Sequence, residues 1–287
     1  MQAVVGAGLV PASGSCLPPL RLLQPRSVEV VVQLLRDAER PLLLAGGTDL
    51  VAAFNEGTTA AELIDLAKVE ALRRITAQDG QLEIGAMATH DEGSRHAAVR
   101  EHALGFAAAW ARIANPRIRF TATLGGNLMA RRVRYEASVL LSALEARLQF
   151  VSAGGPAELS PAEVWSGGVP ARSLLRTVSI PVSDLQWFGY ERSMRPLMTL
   201  ATAWRRDGGG GGRLVCAVAT EFLQPVVLRA LVGSTVALSN AANARAVARD
   251  LFEQLPDSFH DPVLNAAYAR AAGAALLGRQ LEGAARD

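Results

Sequence analysis

The chain has 287 residues, with 29 Lys and Arg against 27 Asp and Glu, a formal net charge of +2, 50% apolar and 20% charged. That composition fits a folded globular protein of one or two domains and does not suggest disorder. Both charge signs are scattered, which argues against the concentrated basic face of a nucleic-acid protein, and no apolar run approaches the ~20 residues of a membrane span.

Residues 1–20 are small, apolar and punctuated by Gly and Pro, with no basic residue before Arg21. They read as a loose N-terminal extension rather than a secretion signal, and the chain reads as cytoplasmic. Ser27 is placed to cap a helix running to about Arg40, with Val28, Val31, Val32, Leu34 and Leu35 on its apolar face. Pro41 stops it, and Leu42–Leu44 forms a short buried strand that leads into Ala45-Gly46-Gly47-Thr48-Asp49-Leu50. A second strand covers Glu62–Leu66, followed by a turn or short helix ending near Arg73. A half-buried strand with polar and apolar alternation covers Gln81–Ala86.

Asp91 is expected to cap a long Ala-rich helix through about Ala114, ended by Asn115-Pro116 because the residue before proline avoids helix geometry. The stretch Thr123-Leu124-Gly125-Gly126-Asn127 reads as a second glycine loop. An apolar helix from about Tyr135 to Leu144 follows, then strands at Leu148–Ser152 and Leu174–Pro181. Strand-like segments at Trp187–Ser193, Thr199–Arg206 and Leu214–Thr220 suggest an antiparallel set, with Gly208–Gly212 as a hairpin tip. Residues from about 241 onward are Ala/Leu/Arg helices. The fold class is α+β: a cofactor region followed by a C-terminal antiparallel sheet with helices.

Cys16 and Cys216 are far apart and read as free thiols, too few for an iron–sulfur cluster. His90, His96, His102 and His260 show no metal-ligand spacing, so no metal site is expected. The two Gly-Gly stretches are each flanked by Thr. Paired glycines let backbone approach a ligand and turn successive N–H groups toward an anion, and they also make ordinary tight turns. Neither matches GxGxxG or GxxxxGK[ST], so a Rossmann or P-loop site is not supported. Arg131, Arg132 and Arg134 could serve phosphate, a partner subunit or solvent.

On Leu44–Leu50, Ile64-Asp65-Leu66, Ile84-Gly85-Ala86 followed by Thr89, and Thr123–Asn127, taken in this order and spacing, the chain resembles the FAD-binding medium subunit of the molybdenum hydroxylases. That group includes the flavoproteins of carbon monoxide dehydrogenase and the flavin domain of xanthine dehydrogenase. The likeness runs from about Leu20 to Pro225. It implies a two-subdomain FAD-binding fold of the PCMH/vanillyl-alcohol-oxidase type over 21–183 (subdomains about 21–78 and 79–183), with a flavoprotein domain over 184–287.

By the same resemblance, Leu43, Leu44, Ala45, Gly46, Gly47, Thr48, Asp49 and Leu50, with Thr123, Gly125, Gly126 and Asn127, hold the diphosphate of FAD. Thr89 and Ile113 join the cofactor-binding set. Glu136 stands where the family has an Asp at the adenosine end. Tyr190 and Arg192 fall beside the flavin ring, Tyr190 either covering one ring face or serving as a plain cross-strand aromatic. Arg117, Phe120 and Thr199 depart from the family's Gln, Asn and Asp. The implied partners are a large molybdenum-cofactor subunit and a small [2Fe-2S] subunit in a dimer of heterotrimers. No residue of this chain need act as acid, base or nucleophile. A stand-alone flavin reductase or oxidase and a flavin-less scaffold are the rival readings.

Overall fold

The computed structural model describes residues 20–39, 41–193, 197–208, 211–233 and 240–284. Residues 1–19 of the expected extension (Cys16 among them), Arg40 at the first helix end and Gly209-Gly210 in the glycine run lie outside these residues.

Ser27 caps the first helix, α1 (Val28–Asp37), by accepting the Val30 amide at 3.4 Å. The helix stops short of Pro41, and its last carbonyls are capped from a distance: Arg172 Nη1 donates to Leu35 O at 3.1 Å and Ala38 O at 3.0 Å. Beside it, β1 (Arg21–Leu23), β2 (Pro41–Leu44) and β3 (Glu62–Asp65) form a parallel sheet in the order β1-β3-β2. Val31, Leu35, Ile64 and Leu66 close this small core with Met87 and Leu174 from the next unit.

The second unit is an all-antiparallel sheet of β4 (Ile75–Gln78), β5 (Gln81–Gly85), β8 (Leu174–Pro181), β6 (Arg147–Ser152) and β7 (Gly155–Leu159), in that order. The strand at 75–78, on the first side of the expected boundary at 78, thus pairs within the second unit.

The Ala-rich stretch after residue 89 is not one helix. It breaks into α3 (His90–Arg95), α4 (Ala97–His102) and α5 (Leu104–Trp110). Thr89, not Asp91, caps α3, in a capping box with Glu92. The chain folds back so that α3 lies on α5, where a Cβ on Gly93 would sit 1.9 Å from the Trp110 ring. Burying Phe106 and Trp110 wins over the helix propensity of the alanines. Asn115 caps a new short helix, α6 (Pro116–Arg119), with proline in its first turn.

The third unit is a meander, β9 (Leu185–Arg192), β10 (Thr199–Arg206), β11 (Gly212–Ala219) and β12 (Val226–Val232), order β12-β11-β10-β9. The strand β12 adds a fourth member to the expected set of three. Strands β10 and β11 are buried on both faces. Ala201, Ala203, Ala217 and Ala219 face the large core with α8 (Ala137–Ala143), while Leu200, Trp204, Leu214, Cys216 and Val218 face α10 (Ala241–Phe252) and α11 (Ala266–Ala284). Burial pushes the Cys216 thiol up to about 12, so it is inert at neutral pH.

One charged residue locks the third unit to the second. Arg205, 1% exposed, donates to Leu144 O at 2.7 Å and Pro181 O at 3.0 Å, and pairs with Asp184 and, at 3.6 Å, with Glu145. Glu145 also accepts from Arg213 at 2.7 Å and Arg229 at 3.2 Å. Arg205→Met leaves two carbonyls and a carboxylate without their donor. A loss of about 3–5 kcal/mol is expected, read as a lower midpoint in urea.

His90 gives a pH test. It is fully buried, its Nδ1 accepts from Trp110 Nε1 at 2.7 Å, and burial pushes its pKa down from 6.5 to about 4. The unfolded chain therefore takes up this proton below pH 6.5, while the folded chain resists it until about pH 4. Stability falls as the pH drops through that window, by about 2 kcal/mol between pH 7 and pH 5. Denaturant melts of His90→Gln, which keeps an acceptor for Trp110, should show a correspondingly smaller decline.

Candidate functional site

A cleft of about 590 Å³ opens where the three units meet, within the range of cofactor pockets. One wall is Leu43 and the turn Ala45–Leu50, which enters α2 (Leu50–Asn55). Gly47 has φ +73, a left-handed turn that a side chain would strain. The amides of Gly46, Gly47, Thr48 and Asp49 make no hydrogen bond to another described residue. Four consecutive open donors in a cleft wall need water or an anion.

The opposite wall contains Thr123, Gly125, Gly126 and Asn127, but this stretch is not a loop. Thr123 accepts the Gly126 amide at 3.0 Å and caps α7 (Leu124–Met129), so the glycines form its first turn. Its amides are already used: Leu124 N donates to Ala88 O at 2.9 Å, Gly125 N to Ala86 O at 2.8 Å, and Asn127 N to Thr123 O at 2.9 Å. What remains here is the Asn127 side chain, whose Oδ1, an acceptor, is buried without a partner among the described residues and whose amide nitrogen is the group able to donate to a phosphate. The first glycine turn packs against the segment that leads into the second, because a Cβ on Gly46 would lie 2.1 Å from Thr121 O.

Asp49 faces its own chain. It accepts from Arg132 Nε at 3.1 Å and Tyr135 Oη at 3.0 Å, which raises the Arg132 pKa and, with burial, that of Tyr135. Glu136 lines the cleft, accepting from Arg192 at 3.1 Å and from the Tyr190 hydroxyl. Burial first, and Glu136 second, hold the Tyr190 phenol above its ordinary range.

Ile113 and Arg192 line the cleft. Tyr190 does not: it is 9% exposed, and Arg112 lies 5.0 Å over its ring. Its hydroxyl donates to Glu136. Leu44 lies behind the wall. Thr89 lies at a shallower depression with Gly46 and Thr123, where it caps α3 and bridges Thr123. Thr199 is in the wall, whereas Phe120 is 61% exposed outside it.

Sequence reasoning left out Ile118, Met129, Leu174, Leu175 and the turn Thr220-Glu221, all in the wall. They are apolar or generic residues brought in by folding, with no local signal. The residues fit an extended dinucleotide: open amides for phosphate, and an apolar lining for rings. Among the described residues no acidic, His or Cys cluster suited to a metal occurs, and no helix is long and apolar enough to cross a membrane.

Comparison with known proteins agrees with this geometry. Residues 18–183 match the family described as the FAD binding domain in molybdopterin dehydrogenase. The chain is 28% identical over 142 residues to the nicotinate dehydrogenase FAD-subunit of Eubacterium barkeri, covering 49% of this chain and 48% of that one. It is 30% identical over 179 residues to the nicotine 6-hydroxylase medium subunit of Paenarthrobacter nicotinovorans, covering 61% and 63%. These matches span between about half and under two thirds of each relative's length. In fold, quinoline 2-oxidoreductase from Pseudomonas putida 86 superposes with a TM-score of 0.76 at 23% identity, covering 94% of this chain and 98% of that one. Reconstituted CO dehydrogenase from Oligotropha carboxidovorans gives 0.78 at 20%, covering 94% and 99%.

The contact of the first glycine turn with the segment leading into the second predicts a graded result. Gly46→Ala cannot be accommodated without parting the two walls and should lower the melting temperature by several degrees. Gly47→Ala meets Leu44 Cδ1 at 3.3 Å in a left-handed turn, and a loss of about 1–2 kcal/mol is expected. Differential scanning calorimetry of the two variants checks the order. The match over residues 18–183, more than half of the chain, shows that this protein belongs to the FAD-binding domain family of the molybdopterin dehydrogenases.

Proposed function

We propose that this chain is the FAD-binding electron-transfer subunit of a molybdenum-containing hydroxylase or dehydrogenase. The substrate is oxidised on a large molybdenum-cofactor subunit, and electrons pass through [2Fe-2S] centres on a small subunit to the flavin held here, then to an external acceptor. The assembly is a cytoplasmic dimer of heterotrimers. The observation that carries the reading is the family's glycine turn, with four open amides, set in a cleft of dinucleotide size.

FAD supplies the redox chemistry when bound, since its ring accepts electrons and releases them. The chain's own residues bind and orient. Gly46 to Asp49 and the Asn127 side chain would hold the diphosphate. Ile113, Leu174 and Leu175 exclude water, and Glu136 fixes the direction of Arg192 beside the lining. Thr199 and the Thr220-Glu221 turn bring the C-terminal sheet into the same wall, which ties that unit to the cofactor site. The formed cleft disfavours a flavin-less scaffold.

Incubating flavin-depleted protein with FAD and desalting it should leave a yellow sample with flavin absorption. At a ligand excess of about 100 Kd, FAD should add about 2.7 kcal/mol of stability, visible as a rise in melting temperature. A colourless product with an unchanged melting temperature would sink the proposal.

A further inference from the structure

Two arginines line the cleft, and they differ in their partners. Arg192 is paired with Glu136 at 3.1 Å. Arg134 has no carboxylate within ion-pair distance among the described residues, and it makes no hydrogen bond to them. The other acids in the wall are Asp49, which Arg132 neutralises, and Glu221, on the far turn after β11. Arg134 is thus an exposed guanidinium in the cleft wall with no ion-pair partner among the described residues, on a loop whose neighbouring side chains are tied down.

The tie-down is specific. After α7 the chain turns at Arg131, whose φ is +49, and Arg131 donates to Trp165 O at 3.1 Å with its guanidinium 5.9 Å over the Trp165 ring. Arg132 and Tyr135 then both bind the Asp49 carboxylate. Asp49 directly follows the open amides of Gly46, Gly47 and Thr48. The two residues that bracket Arg134 are therefore fastened to the end of the glycine turn, and Arg134 is presented to the same cleft.

We infer that Arg134 is an anion-binding residue, which adds a guanidinium to the backbone donors of the glycine turn for the diphosphate of a dinucleotide. Asp49 is a positioning residue that fastens the Arg132–Tyr135 loop to that turn. This rests on the flavin reading above and deepens it. A guanidinium suits the task because its fork of donors matches phosphate oxygens. It also makes up for the second glycine element, whose amides are consumed within the protein.

The test compares flavin-depleted wild type, Arg134→Gln and Arg134→Lys, titrated with FAD and with riboflavin, which has the ring but no phosphate. Arg134→Gln should weaken FAD at least tenfold at low salt, about 1.4 kcal/mol, and change riboflavin less than twofold. Arg134→Lys should recover part of the loss, and added salt should narrow the gap between wild type and Arg134→Gln. Melting curves without flavin should coincide for all three proteins. Equal weakening of both flavins, or unchanged FAD affinity in Arg134→Gln, overturns the assignment while the flavin reading stands. Wild type that binds no FAD defeats both.

Discussion

The geometry of the cleft depends on one close approach, the backbone of Gly46 against the carbonyl of Thr121. The first sheet is small and parallel, and the second is antiparallel and carries most of the core. Nothing in either sheet alone makes a dinucleotide site. Bringing the turn after β2 against the segment that leads into α7 makes the walls face each other. Only a residue without Cβ allows that distance, so the position is fixed by sterics rather than by ligand chemistry.

The two glycine pairs illustrate how one motif can carry two physical tasks. In the first, Gly47 takes a left-handed turn and the following amides stay open. In the second, the glycines enter a helix and their amides are spent on Ala86, Ala88 and Thr123. Sequence shows both as Thr-flanked Gly-Gly and cannot separate them, because the difference lies in partners that arrive from the end of β5. The acids behave similarly. Asp49 and Glu136 look like ligand contacts by position, yet each is gripped by an Arg and a Tyr of the chain.

Much of the fold was legible where burial and alternation agree with a single element. The strands at Leu174–Pro181 and Thr199–Arg206 have the expected ends, and the Ser27 cap is where the first helix begins. The failures have tertiary causes. The run from 91 to 114 is rich in alanine, but Gly93 and Gly105 weaken it as a helix, and the fold-back of α3 onto Trp110 breaks it. Val226–Val232 follows a proline and lies at an edge of its sheet, with Leu231 83% exposed, so it lacks a clean two-residue alternation. Of the site, the glycine turn, Ile113, Glu136 and Arg192 were readable through family likeness. Arg134 stood in a basic cluster that could serve phosphate, a partner subunit or solvent, and only the anchoring of its neighbours singles it out.

The alanine face of β10 and β11 bears on how the molecule can be divided. The family match stops at residue 183, but that point is not a seam in the folded chain. A fragment ending there would lay bare the partners of Ala201, Ala203, Ala217 and Ala219 on α8 and strand the carbonyls of Leu144 and Pro181. Cutting the chain there would break a shared core and two hydrogen bonds of the buried Arg205. The meander is therefore part of the packing that holds the cleft walls in place.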